Sequence, residues 1–80
     1  MIEIYLYGHT KELVRNNFPE ANTILLFDYV EGEHFQELLN RLGLKLDDVG
    51  DCYINNELAV SENELQDGDT IELNEGSFSV

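Results

Sequence analysis

One segment limits what this chain can fold into more than any other: "EGEHFQELLNRLGL", residues 31–44. Phe35, Leu38, Leu39 and Leu42 fall at i, i+3, i+4 and i+7, one apolar stripe along a helix. Glu31 and Glu33 stand near the positive N-terminal end of that helix and Arg41 near its negative C-terminal end. Gly43 follows where a left-handed residue is expected, and Leu44 is placed to close a Schellman contact. This is the clearest helix in the chain. A helix with a single apolar stripe must bury it against another layer.

The remaining segments supply that layer. "IEIYLYG" alternates from Ile2 to Gly8, with Ile2, Ile4 and Leu6 on one face and Glu3, Tyr5 and Tyr7 on the other. "HTKELVRNNF" reads as a short helix with Thr10 as N-cap, Leu13 and Val14 inward, and Pro19 marking the stop. "NTILLFDYV" has strand composition but a blurred period. Leu25, Phe27 and Tyr29 compete there with Ile24, Leu26 and Val30 for the buried face, and the residues do not decide between them. "DCYINNELAV" reads as strand, tight turn at Asn55-Asn56, strand, because Asn tolerates positive φ. "LQDGDTIEL" turns at Asp67-Gly68, after which Ile71 and Leu73 alternate with Thr70, Glu72 and Asn74.

That order predicts an α+β fold: a mixed four- to five-stranded sheet packed on one main helix, plus a short helix. In 80 residues this suits a single β-grasp (ubiquitin-like) domain spanning 1–80, although periodicity alone leaves other α+β folds open. There is no internal repeat, low-complexity tract or linker.

Charge narrows the function. Seventeen acids stand against Lys11, Arg15, Arg41 and Lys45, a net charge of −13. Such a surface repels nucleic acid and anionic membranes and favours a protein partner with a basic face. Dispersed acids also keep a small domain soluble. The longest apolar run, Ile24 to Phe27, is too short to span a bilayer, and nothing resembles a secretory signal. A lone Cys52 excludes an internal disulfide and reads as a small buried hydrophobe. The expectation is a reduced, cytoplasmic protein.

No catalytic or metal pattern is present. His9 and His34 are isolated, and no Cys or His cluster accompanies them, so no metal site and no cofactor are expected. The acidic groups Asp47-Asp48, Glu62/Glu64 and Asp67/Asp69 lack the spacing of a calcium loop, and Asp67/Asp69 already has a turn to make. There is no nucleophile elbow, phosphate loop or dinucleotide motif. An enzyme is not expected.

"YLYGHTKEL", "EGEHFQELLNRLGL", "INNEL" and "LQDGDTIEL", taken in that order, resemble the small sulfur-carrier proteins of the ThiS and MoaD type. The match runs through nearly the whole chain, and the DGD motif with the preceding hairpin is its most specific part. The resemblance implies a β-grasp fold. In full carriers it also implies a C-terminal Gly-Gly whose carboxylate is adenylated and converted to a thiocarboxylate, which donates sulfur to a thiamine or molybdopterin precursor. Glycines suit that chemistry because a tail without side chains threads a narrow channel.

Here Ser79 and Val80 occupy the two glycine positions, and Glu75 and Gly76 stand where the family has a proline pair. No later Gly-Gly follows for trimming to expose. Val80 is β-branched and crowds the carboxylate. The resemblance therefore leads to the expectation of a family member whose carrier tail has lost its chemistry.

The outward sheet face is the candidate site instead. If Ile2, Ile4, Leu6, Cys52, Ile54, Ile71 and Leu73 pack on the helix, Tyr5, Tyr7 and Tyr53 face away from it, bordered by Glu72 and Asn74. Tyrosine supplies contact area with few rotors to freeze, and interfaces are enriched in it. It also suits any solvated sheet surface. By resemblance this face meets an adenylating enzyme or a cofactor synthase subunit. Two functions follow: a non-catalytic protein-binding module, or a sulfur carrier acting through its C-terminal carboxylate. Strands at the sheet margins could also pair between copies, giving a monomer or a weak dimer.

Overall fold

A computed structural model describes residues 1–76. Ser79 and Val80, singled out above, lie outside the described residues. Five strands and two helices run in the order β1 (Ile2–Leu6), α1 (His9–Arg15), β2 (Ile24–Phe27), α2 (Phe35–Arg41), β3 (Tyr53–Ile54), β4 (Glu57–Leu58) and β5 (Thr70–Leu73), with a 3-10 turn at Leu46–Asp48. The strands form one sheet in the order β2-β1-β5-β3-β4. The central pair, β1 and β5, is parallel, and every other pairing is antiparallel. This is the mixed sheet on one main helix that the periodicities predict.

The core forms where the stripe of α2 meets the inner sheet face. Phe35, Leu38, Leu39 and Leu42 pack with Ile2, Ile4, Leu6, Ile71 and Leu73, all of them buried. Each fully buried Leu or Ile contributes about 1.5–3 kcal/mol relative to exposure. The helix ends as its sequence demands. Gly43 adopts φ 83°, the Leu44 N–H donates to the Leu39 carbonyl at 2.8 Å, and the Gly43 N–H donates to Asn40 at 3.0 Å. Those two bonds are the Schellman pair. Asn55 (φ 51°) and Asn56 (φ 71°) make the tight turn between β3 and β4.

Two expectations need correction. Thr10 is not the N-cap of α1: the helix starts at His9 with Gly8 before it, and Thr10 lies fully buried in the first turn. Its hydroxyl donates to the Tyr7 carbonyl at 2.6 Å and lies 3.2 Å from that of Leu73. Satisfying core carbonyls outweighs capping, and Leu73 is too distant in sequence for local pattern to reveal it. Glu33 does not serve the α2 N-terminus. Its carboxylate is held by both Arg41 donors, Nε and Nη2, at 2.7 Å each. The Arg41 guanidinium also sits 4.2 Å from the Phe27 ring centroid and donates to the Asp28 carbonyl at 2.8 Å. One side chain thus ties the end of α2 to β2 and to the loop after it.

Candidate functional site on the outer sheet face

Pairing register places one residue from every strand in a single row across the outer face. Ile24 of β2 pairs with Tyr5 of β1, Tyr5 with Glu72 of β5, Glu72 with Tyr53 of β3, and Tyr53 with Leu58 of β4. A second row sets Leu26 beside Glu3 and Glu3 beside Thr70. Because side chains alternate across a strand, these residues all face away from α2.

Tyr5, Tyr53 and Glu72 are therefore brought together as the alternation predicts. Tyr7, just past β1, stacks on Tyr5 with ring centroids 6.5 Å apart. Tyr53 does not touch that pair directly, since Glu72 lies between it and Tyr5 in the row. The Tyr5 hydroxyl donates to Glu3 Oε1 at 2.8 Å. Ionising the phenol would forfeit that bond and face the Glu3 charge, so its pKa is raised. Tyr5 is consequently a neutral donor fixed in orientation, presenting an aromatic surface next to carboxylates.

Asn74 turns to a different task. Its side-chain amide donates to the Asp51 carbonyl at 2.7 Å, and its own carbonyl accepts from the Gly50 N–H at 2.9 Å. Next to it, Glu75 bridges Val49 in an antiparallel pair and its carboxylate accepts from the His9 N–H at 3.0 Å. Gly50 permits this approach: a Cβ there would lie 2.5 Å from the Glu75 carbonyl oxygen. Glu75 is thus tied to the loop before β3 and to the start of α1.

Sequence reasoning missed the apolar ends of the outer row. Ile24 (50% exposed), Leu26 (59%) and Leu58 (59%) flank the tyrosines. The blurred period of β2 was the available signal: Leu25 and Phe27 face inward, half-buried, so Ile24 and Leu26 must be outward. The hairpin strand gave less, because two residues define no period.

The other candidates resolve into structure. Cys52 is buried and unpaired, with its thiol pKa pushed up by burial. Asp69 accepts from the Gln66 N–H at 2.7 Å and the Asn55 side-chain amide at 2.8 Å, while Asp67 pairs with the Met1 ammonium. Asp48 accepts from the Lys45 N–H at 2.8 Å. Asp69 and Asp48 thus cap turns, and Asp67 holds the chain's amino end. His34 and Glu37 close on one another across the first turn of α2, which holds the Glu37 carboxyl below its ordinary range. No helix among the described residues is long and apolar enough to cross a membrane.

No protein-family model matches the sequence, and no curated protein sequence does. Among solved structures, similarity is found to a Pyrococcus furiosus protein that carries the provisional description molybdopterin converting factor, subunit 1. The TM-score is 0.71 at 13% identity, covering 95% of this chain and 97% of that one. The fold is β-grasp. At so low an identity the likeness establishes the fold alone.

Proposed function

We propose that this protein is a ThiS/MoaD-like ubiquitin-fold module that works by docking its outer sheet face on a partner protein, without catalysing a reaction itself. The observation that carries the reading is the row Ile24, Tyr5, Glu72, Tyr53 and Leu58, which crosses all five strands. Apolar and aromatic groups with a central carboxylate form the type of patch that buries anchors and selects by charge. At net charge −13 the fitting partner is one with a basic rim around an apolar centre. The resemblance of the sequence to ThiS and MoaD carriers suggests a synthase subunit or an adenylating enzyme as that partner, in a cytoplasmic setting.

The test is retention of partners by wild-type protein against a Tyr5→Ala/Tyr53→Ala variant that keeps its circular dichroism. Partners held by the wild type should be lost from the variant. An unchanged set of partners would count against the sheet face.

A second reading, sulfur transfer through the C-terminal carboxylate, is favoured by the description of the structural neighbour. Intact-mass and fragment analysis of protein from its native host separates the two. Replacement of one terminal carboxylate oxygen by sulfur, localised to Val80 and not to oxidised Met1, would establish the carrier.

A further inference from the structure

Among the described residues β2 closes one side of the sheet, with β1 as its one neighbouring strand. Antiparallel strands alternate between residues that exchange backbone hydrogen bonds and residues that do not. The Leu6 N–H donates to the Thr23 carbonyl at 2.7 Å. Continuing that register, Leu25 and Phe27 turn their backbone groups toward β1, opposite Ile4 and Ile2. Ile24 and Leu26 therefore aim their N–H and C=O groups at the open side. Each offers one donor and one acceptor to whatever lies alongside.

The side chains of β2 itself are apolar on both faces. Ile24 and Leu26 are exposed outward, and on the inner side Leu25 borders a hollow of about 450 Å³ lined also by Phe18, Pro19 and Ala21, with Asn17 and Glu20 as its polar part. Open sheet margins are ordinarily blunted by Lys, Pro, a bulge or brevity. The opposite margin follows that rule, since β4 has only two residues and one is Glu57. β2 does not: from Ala21 to Phe27 the chain carries no charge.

We propose that β2 is a strand-addition site, taking an extended segment of a partner protein with alternating apolar side chains and basic residues at its ends. The backbone groups of Ile24 and Leu26 supply the main-chain bonds. Alternate side chains of the incoming segment lie over those two residues or enter the hollow beside Leu25. Charge sets the flanks. Glu20 precedes the strand, Asp28 and Glu31 follow it, and Glu3 lies across from Leu26. Nearby cations are already engaged, Arg41 with Glu33 and Arg15 with the Pro19 carbonyl. A second copy fits poorly, because it would bring another net charge of −13 to the same margin. The site goes beyond sheet-face docking and does not use Tyr5 or Tyr53.

The probe is a blocked synthetic peptide, Lys-Lys-Val-Ile-Val-Ile-Lys-Lys, titrated into isotope-labelled protein and compared with the same core flanked by Glu. Amide shifts should concentrate in residues 18–28, and the basic peptide should bind about tenfold or more tightly than the acidic one, less so in high salt. Leu26→Pro removes the outward N–H and leaves the β1 bonds in place, so peptide binding should be lost. Leu26→Ala keeps the N–H and should lose less. The Tyr5→Ala/Tyr53→Ala variant should bind the peptide as wild type does, so failure here is distinct from failure of the sheet-face reading. The charge-swapped pair requires no variant and stands even if Leu26→Pro unfolds. Equal affinity for the two peptides, no binding of either, shifts centred on Glu57 and Leu58, or self-association through β2 would each overturn the proposal.

Discussion

The two faces of the sheet are made by the same strands and differ in what they do. On the inner face, register sets Leu25, Ile4, Ile71 and Ile54 side by side. On the outer face the corresponding row is Ile24, Tyr5, Glu72, Tyr53 and Leu58. The inner row is apolar from Leu25 to Ile54, faces α2, and reaches a carboxylate only at Glu57 on the β4 margin. The outer row sets aromatic and apolar groups around a carboxylate, and no helix among the described residues packs on it. Stability is thus concentrated on one face, and the docking role proposed above falls to the other.

The largest effect should come from the inner row. Ile71 is fully buried at the centre of the sheet, and Ile71→Ala should cost about 2–5 kcal/mol in urea unfolding. That is a large part of the 5–15 kcal/mol or so that a small domain has. Ile71→Val grades the test, with a cost of about 0.5–1.5 kcal/mol. A loss below that for the Ala variant would mean that the inner row is not what holds the sheet to α2.

A smaller effect should follow from breaking the clamp that ties α2 to the edge of the sheet. Arg41→Ala leaves Glu33, 7% exposed, without its two donors and uncovers Phe27. Buried pairs that lose one partner cost more than exposed ones, but the Arg41 side chain is itself a third exposed, so about 1–3 kcal/mol is expected. Arg41→Lys should recover only part, since an ammonium cannot reproduce the fork on the carboxylate or the stacking on the ring. Equal stability of the Lys variant and wild type would reduce the clamp to a simple charge effect.

Much of both faces is legible in the residues alone. Everything governed by local period was legible: the stripe of α2, the faces of β1 and β5, the Gly43 stop and the Asn55-Asn56 turn. The tyrosines followed from the same alternation, because Ile2, Ile4 and Leu6 leave Tyr5 only one direction. What escaped was decided by partners distant in sequence. Thr10 is buried because Leu73 offers a carbonyl, and Arg41 reaches back to Glu33 and Phe27 across a loop. β2 was ambiguous for a different reason: as an edge strand it is apolar on both faces, so alternation carries no contrast there. Its ambiguity was the trace of an uncovered margin.

The smallest effect sharpens the contrast most, because one substitution can be made on both faces. Tyr53 and Ile71 are near neighbours: Tyr53 pairs with Glu72, the residue after Ile71. Threonine favours strands at either position, so propensity is held nearly constant. Ile71→Thr places a hydroxyl in a fully buried site and should cost several kcal/mol, as a buried polar group without a partner does. Tyr53→Thr removes cross-strand contact with Leu58 and Glu72 on an open surface, worth about 0.2–1 kcal/mol. Unfolding curves for the two variants should therefore diverge strongly, while the loss of partner binding should run the other way. If Tyr53→Thr destabilised the fold as much as Ile71→Thr, the outer row would be structural, and an unpartnered recognition face would no longer describe it.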